Sequence, residues 1–528
     1  MKKTFQAVAV AVALAVTTLP ASPALHAADS PDLQMVTLIR QEGFRNSKVM
    51  DYAQGLTDMI GPRLTGSPNM RKANEWTRDE LTKMGLAKAR LEEYKFGRGW
   101  TSDYTSVRML APDVQQLYGL ASAWSPATNG AVRGKVVKVK LETKEDLDKN
   151  KGKLSGAIVM IAEPKEMKPQ DKAALERYTD DELAALGNYE IPVTNDARMA
   201  EFRKRREFRK SLAQFATDEK IAAVIMPGNG EGGVFRVQAS GTWRDDEPVG
   251  VPTVGLAPEQ YGRIARLLDK KVDVELEVDL RAKFNEDPTA WNTVAEIPGT
   301  DRKGELVLLG GHMDSWHTGT GATDNAAGVA IMMEAVRILK SLGIAPKRTI
   351  RIALWSGEEQ GLLGSRAYVA QHVAKRAEPK DPEQAKLPYN QRTEKTALIL
   401  GDEHARISAY FNIDNGTGKL RGIYAQENAA VVPIFTAWLQ PFHDLGATTV
   451  TMRNTGSTDH VPFDEAGVPG FQFIQDEVEY RTRTHHTNWD TYERLQRDDL
   501  MQAAVIAATF VWETANRAEM IPRKPLPK

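Results

Sequence analysis

The chain has 528 residues, with 69 Lys and Arg against 70 Asp and Glu, a formal net charge of −1 and no cysteine. At about 150 residues per domain, that length amounts to three or four domain equivalents, enough for a large buried core. The 41% hydrophobic and 26% charged residues are ordinary for a globular protein. The even charge balance excludes a globally basic nucleic-acid binder, and the lack of Cys excludes disulfides, a thiol nucleophile and thiolate metal sites. Any metal must be held by His, Asp and Glu.

Lys2 and Lys3 precede an apolar run from Ala7 to Val16 and small residues from Ala21 to Ala28, the layout of a signal peptide over residues 1–28. The run is too short to cross a bilayer, which takes roughly 20 residues, and with no Cys there is nothing to acylate. The mature chain is expected in the periplasm or secreted, without a membrane span.

Residues 29–119 read as the first part of a large domain. Apolar spacing through Met35, Ile39, Phe44, Val49, Tyr52 and Leu56 predicts helix; the turn-rich segment Gly61 to Pro68 breaks it, and a second helix follows from Asn69 to Met84. In residues 120–283 short β-branched runs (Val136 to Val139, Ala157 to Ile161, Ala222 to Met226, Val272 to Val278) alternate with polar loops and a charged helical stretch near 197–216. This texture suggests a small β-rich, α+β domain inserted into the larger one, because neither flank completes a fold alone.

From 284 to 528 strand, loop and helix repeat. The strand-like runs are Thr293 to Ile297, Glu305 to Leu309, Thr349 to Trp355, Ser408 to Ile413 and Gly470 to Ile474, with helices at Ala326 to Lys340 and Asp498 to Ala515. The expected fold class is α/β: a three-layer αβα domain around a mostly parallel or mixed sheet. Ligands of such sheets sit beyond the carboxyl ends of the strands.

Metal-ligand residue types follow those strand ends. Gly310-Gly311-His312-Met313-Asp314 comes after one strand, with Gly321-Ala322-Thr323-Asp324-Asn325 ten residues on. Ser356-Gly357-Glu358-Glu359, Asp414 and Arg483-Thr484-His485-His486-Thr487 follow others. Two neutral imidazoles and three carboxylates suit two divalent ions of the zinc type, about 3.5 to 4 Å apart, with one carboxylate bridging. Asp324, at a Gly-flanked turn, is the natural bridge. Consecutive side chains cannot aim at one point, so one of Glu358 and Glu359 binds metal while the other faces a water as general base. Asp314 is placed to accept the second ring N–H of His312. Taken singly, each has an ordinary reading: a Glu pair starting a helix, an Asp capping a turn, surface histidines. Their recurrence at four strand ends of one domain is what selects the metal reading.

In order, Gly310 to Ser315, Gly321 to Gly328, Trp355 to Gly361, Asn412 to Asp414, and His486-Thr487 with Asp490-Thr491 resemble the motifs of the M28 family of co-catalytic zinc exopeptidases. The match covers essentially the mature chain, the insert looks like a protease-associated (PA) domain, and the arrangement is most similar to the carboxypeptidase Q-like branch. The resemblance implies two Zn²⁺ per chain, one on His312 and Asp414, the other on Glu359 and His486, bridged by Asp324. It implies Glu358 as the base and a dipeptide or short peptide as substrate. Several relatives place a Tyr before the final histidine, or elsewhere in the site, to stabilise the oxyanion; this chain has His485, a histidine being able to donate the same hydrogen bond.

Ser457-Thr458-Asp459-His460 resembles the family's Ser-Asp-His segment and reads as pocket wall. Arg481 and Arg483 are candidates to pair with a substrate carboxylate, and His317 is a decoy ligand. The insert either shields the site or offers a homodimer surface. There is no Gly-x-Ser-x-Gly elbow, dinucleotide fingerprint or Walker lysine. The alternatives kept are a catalytically inactive receptor-like or binding relative, and a single-zinc glutaminyl cyclase-like enzyme.

Overall fold

A computed structural model describes residues 30–527 apart from 192–195, 286, 344, 386–391 and 395. The expected signal peptide lies outside the described residues. Among the described residues two eight-stranded sheets, with two small two-stranded ones beside them, organise the fold.

In the first sheet, strands Arg348–Trp355, Arg302–His312, Ile407–Asn412 and Gly470–Gln475 lie side by side and parallel. Thr289–Ile297 and Ala87–Lys95 extend one edge antiparallel, and Leu420–Tyr424 and Thr449–Thr451 extend the other. The sheet is thus mixed around a parallel centre. Its central strands are apolar on both faces because both are covered. Val307 and Leu309 join one core with helices Leu33–Arg45, Ala327–Ser341 and Arg497–Asn516. Leu306 and Leu308, pointing the opposite way at the period of two, join another with Tyr368, Val369 and Phe463.

The turn at Gly61 to Pro68 separates two helices for a local reason. Ser67 accepts the N–H of Met70 at 3.2 Å, and Pro68 takes the first position of helix Pro68–Lys83, where a missing N–H costs nothing.

The second sheet runs Gln115–Leu117, Gly99–Ala111, Glu275–Asn285, Val132–Lys138, Ile158–Met160, Ala223–Pro227, Thr253–Leu256, Gly119–Ala121. This moves the expected boundary at 119/120. Gly99–Ala111 pairs with Glu275–Asn285 along its length, so the second sheet takes the chain from residue 99 to 285. The middle of that first strand, Ser102 to Ser106, is polar and largely open to solvent, which is why it carried no apolar strand signature. The two excursions lie side by side: Lys95 and Thr289 are register partners in the first sheet, Gly99 and Asn285 in the second. The sheets also share a core, in which Leu64, Tyr94, Ala290 and Trp316 pack with Trp100, Trp124 and Leu276.

Among the described residues no helix is long and apolar enough to cross a membrane.

Candidate active site

The carboxyl ends of the parallel strands deliver the predicted residues to one place. His312 ends its strand, and Gly310 lets that strand lie against its neighbour, since a Cβ there would meet the Ala353 carbonyl at 1.8 Å. Asp324 follows Gly321, whose φ of +61° and contact with the Ser315 side chain admit only glycine. Glu358 and Glu359 follow Arg348–Trp355, and Asp414 follows Ile407–Asn412.

His312 Nε2 lies 3.2 Å from Asp414 Oδ1 and 3.3 Å from Asp324 Oδ1. The other Asp324 oxygen, Oδ2, is 3.0 Å from His486 Nε2, which is also 3.0 Å from Glu359 Oε2. Asp324 therefore turns one oxygen to each imidazole. The ligand atoms of His312, Asp324 and Asp414 lie within 4.8 Å of one another, as do those of Asp324, His485 and His486. Asp324 Oδ2 and Glu359 Oε1 are buried and accept no hydrogen bond among the described residues.

Neighbours fix these side chains. The Asp314 carboxylate does not take the place expected for it. His312 Nδ1 is 3.0 Å from the backbone carbonyl of Asp314 and 3.5 Å from its carboxylate. The carboxylate instead accepts the N–H groups of Glu358 and Glu359, both at 3.2 Å, and the Thr65 hydroxyl at 2.9 Å. Its turn geometry, two residues beyond the strand, aims the side chain at the Glu pair. Asp490 accepts the N–H groups of Thr323 and Asp324 at 2.6 and 3.1 Å. Trp316 Nε1 donates to Glu359 Oε2 at 2.6 Å, and the Gln238 amide lies 3.1 Å from His486 Nδ1.

Sequence reasoning missed Arg63. Fully buried, its guanidinium donates to the carbonyls of Leu56, Gly61, Met313, Thr320 and Gly321 and so ties the Gly61 to Pro68 turn to the loop between His312 and Asp324. Only the Gly/Pro punctuation around it hinted at such a role. Tyr480 was also missed. Its ring lies 4.8 Å from that of His485, and its phenol makes no hydrogen bond among the described residues.

The centre is crowded with acids. Burial, and then the charges of Asp414, Asp459 and Glu359, raise the Glu358 carboxyl well above its usual range, with His312 opposing. Burial lifts Glu359 to about 7 against the pull of His486. Burial works against protonation of His486, but Glu359 and Asp324 carry it up to about 10. His485 goes the other way: burial takes it to about 4, so its ring is neutral at pH 7 and keeps one N–H to donate. Its ring packs against that of His486, the planes tilted by 34° and the centroids 3.7 Å apart, with Nε2 3.7 Å from Asp324 Oδ2. Carboxylates this close, with orphaned oxygens, fit divalent cations.

The weaker candidates separate. Arg481 pairs with Glu477 at 2.5 Å and Arg483 with Glu479 at 2.9 Å. His317 faces the Ala121 carbonyl at 2.7 Å and lies outside both clusters. Asp459, fully buried, accepts from Ser365 at 2.5 Å, and Thr458 accepts from Asn412 at 2.9 Å.

A mixed α/β sheet carrying this acid and imidazole centre at its strand ends has the form of a metallopeptidase. Residues 292–511 match the model described as Peptidase family M28, so the chain carries an M28 peptidase domain. It is similar to carboxypeptidase Q of Rattus norvegicus, 26% identical over 473 residues, covering 89% of this chain and 85% of the relative. It is also 26% identical to aminopeptidase YwaD of Bacillus subtilis, over 51% of this chain and 52% of the relative. Among solved structures it resembles a peptidase M28 precursor from Shewanella amazonensis (TM-score 0.65, 24% identity, 94% of this chain and 98% of that one). A second is BSAP, a zinc aminopeptidase from Bacillus subtilis (TM-score 0.56, 20% identity, 89% and 94%).

Proposed function

We propose that the chain is a periplasmic or secreted zinc exopeptidase that hydrolyses dipeptides or short peptides, with residues 99–285 as a PA-like insert. The observation that carries this reading is the two-sided placement of Asp324, one oxygen toward His312 and Asp414 and the other toward His486 and Glu359. Two Zn²⁺ fit those donors: His312 and Asp414 for one, Glu359 and His486 for the other, Asp324 for both. Bound there, such ions supply Lewis acidity, polarising a peptide carbonyl and easing deprotonation of a water.

The chain's own groups do the rest. Glu358, held by its N–H to Asp314 and free of the bridging cluster, takes a proton from the attacking water and returns it to the leaving amine nitrogen. Its raised affinity for protons suits both halves of that transfer. His485, neutral, donates its N–H to the developing oxyanion. Arg63 and Asp490 keep the bridging turn rigid, so the donors need not reorganise during the reaction.

The test is metal analysis combined with a dipeptide and aminoacyl-anilide panel, with and without chelator. Two ions per chain and chelator-sensitive hydrolysis are expected, and Glu358→Gln is expected to keep both ions while losing about 100-fold or more in kcat. No bound ion would favour the receptor-like alternative, and a single ion with activity on N-terminal glutamine the cyclase.

A further inference from the structure

Beside the metal cleft lies a second cavity of about 950 Å³. It is bounded by the loop at Lys165 to Gln170, by the hairpin of Asn229–Glu231 and Val234–Arg236, and by the segment from Arg481 to Trp489. Thr487, next to His486, lines both spaces. Arg236 forms a backbone bridge to Thr487.

Three arginines line this cavity. Arg481 and Arg483 are neutralised by Glu477 and Glu479. Arg236 makes no ion pair or side-chain hydrogen bond among the described residues, and its buried Nε has no acceptor. A buried guanidinium N–H without an acceptor is costly and calls for an anionic partner. The side chain also faces the right way. Phe235 and Val237 are buried while Arg236 and Gln238 are half-exposed, the alternation of an extended segment whose residues two apart share a face. Gln238 on that face touches His486.

We propose that Arg236, contributed by the second sheet's share of the chain, binds the terminal carboxylate of a short peptide, so that the site reads a free C-terminus. The planar fork of a guanidinium matches a carboxylate in two parallel hydrogen bonds, a geometry a lysine does not reproduce. The inference rests on the hydrolytic reading above and deepens it: the insert supplies specificity to a cleft whose chemistry comes from the first sheet.

The experiment compares a dipeptide with its C-terminal amide, using the zinc-loaded full chain, Arg236→Met and Arg236→Lys. The wild type is expected to prefer the free acid. Arg236→Met is expected to raise KM for the acid about tenfold or more, with kcat/KM for the amide and the zinc content within about twofold of the parent. Arg236→Lys should fall between. Equal rates of the wild type on acid and amide, or equal losses on both in Arg236→Met, would overturn the assignment while leaving the peptidase reading intact. Hydrolysis of neither substrate by the wild type would overturn both.

Discussion

Asp314 contributes to the site by shape as much as by charge. Its two oxygens each accept one N–H of the Glu358-Glu359 pair, which points the two carboxylates in different directions. Asp314→Asn places an NH₂ where one of those N–H groups needs an acceptor. We expect kcat to fall about 10- to 100-fold with a weaker hold on metal, read by steady-state kinetics and metal titration. Turnover within twofold of the parent would show that the pair is set without it. At this scale the sequence was most legible where chemistry and backbone coincide. His312, Asp324, Glu359 and Asp414 each stand at a strand end or turn with a glycine within three residues, and the structure gathers them with His486 within hydrogen-bonding distances. Gln238 and Arg236 carried no such mark, and the glycines flanking Arg63 signalled a turn but not what it would meet. Each reaches the site from a distant part of the chain, and local pattern holds no information about which loops will meet.

Helices and strands show the same division. Helix Arg497–Asn516 was readable because its long apolar run must be buried on nearly every side. What the run hides is Glu513, 8% exposed, which accepts the Asp32 N–H at 2.8 Å and so fastens this helix to the start of Leu33–Arg45. Burial first, and then the Asp32 charge, raise its carboxyl to about 7. The folded pKa lies above the unfolded one, so the fold favours the protonated form. The associated stability is complete below about 4.5 and fades as pH rises through 7. The span amounts to roughly 3 kcal/mol. Glu513→Gln keeps an acceptor for Asp32 without a charge. It should be more stable than the parent at pH 8 and lose that advantage by pH 4.5, measured as urea midpoints; parallel pH profiles would remove Glu513 as the cause. Strands Ala87–Lys95 and Gly99–Ala111 escaped the sequence reading because their exposed, polar positions break the alternation that marks a half-buried strand.

For the whole molecule, the question is whether two sheets make two units. Composition suggested an inserted domain, and the chain path agrees with an excursion, but Leu64, Tyr94, Ala290 and Trp316 belong to the same apolar cluster as Trp100, Trp124 and Leu276. A core that crosses from one sheet to the other couples their unfolding. Calorimetry of the metal-free protein should therefore show one transition, and two well-separated ones would mean that the shared cluster contributes little.

The adjacency of Lys95 and Thr289 carries one more implication. A chain that departs and returns through neighbouring rungs of the same ladder can lengthen or shorten between them while the pairing of that ladder stays in register, provided the contacts of Ala121 with His317 and of Gln238 with His486 are kept. Loops of the excursion that touch neither histidine can therefore vary in length without shifting the strand that ends at His312.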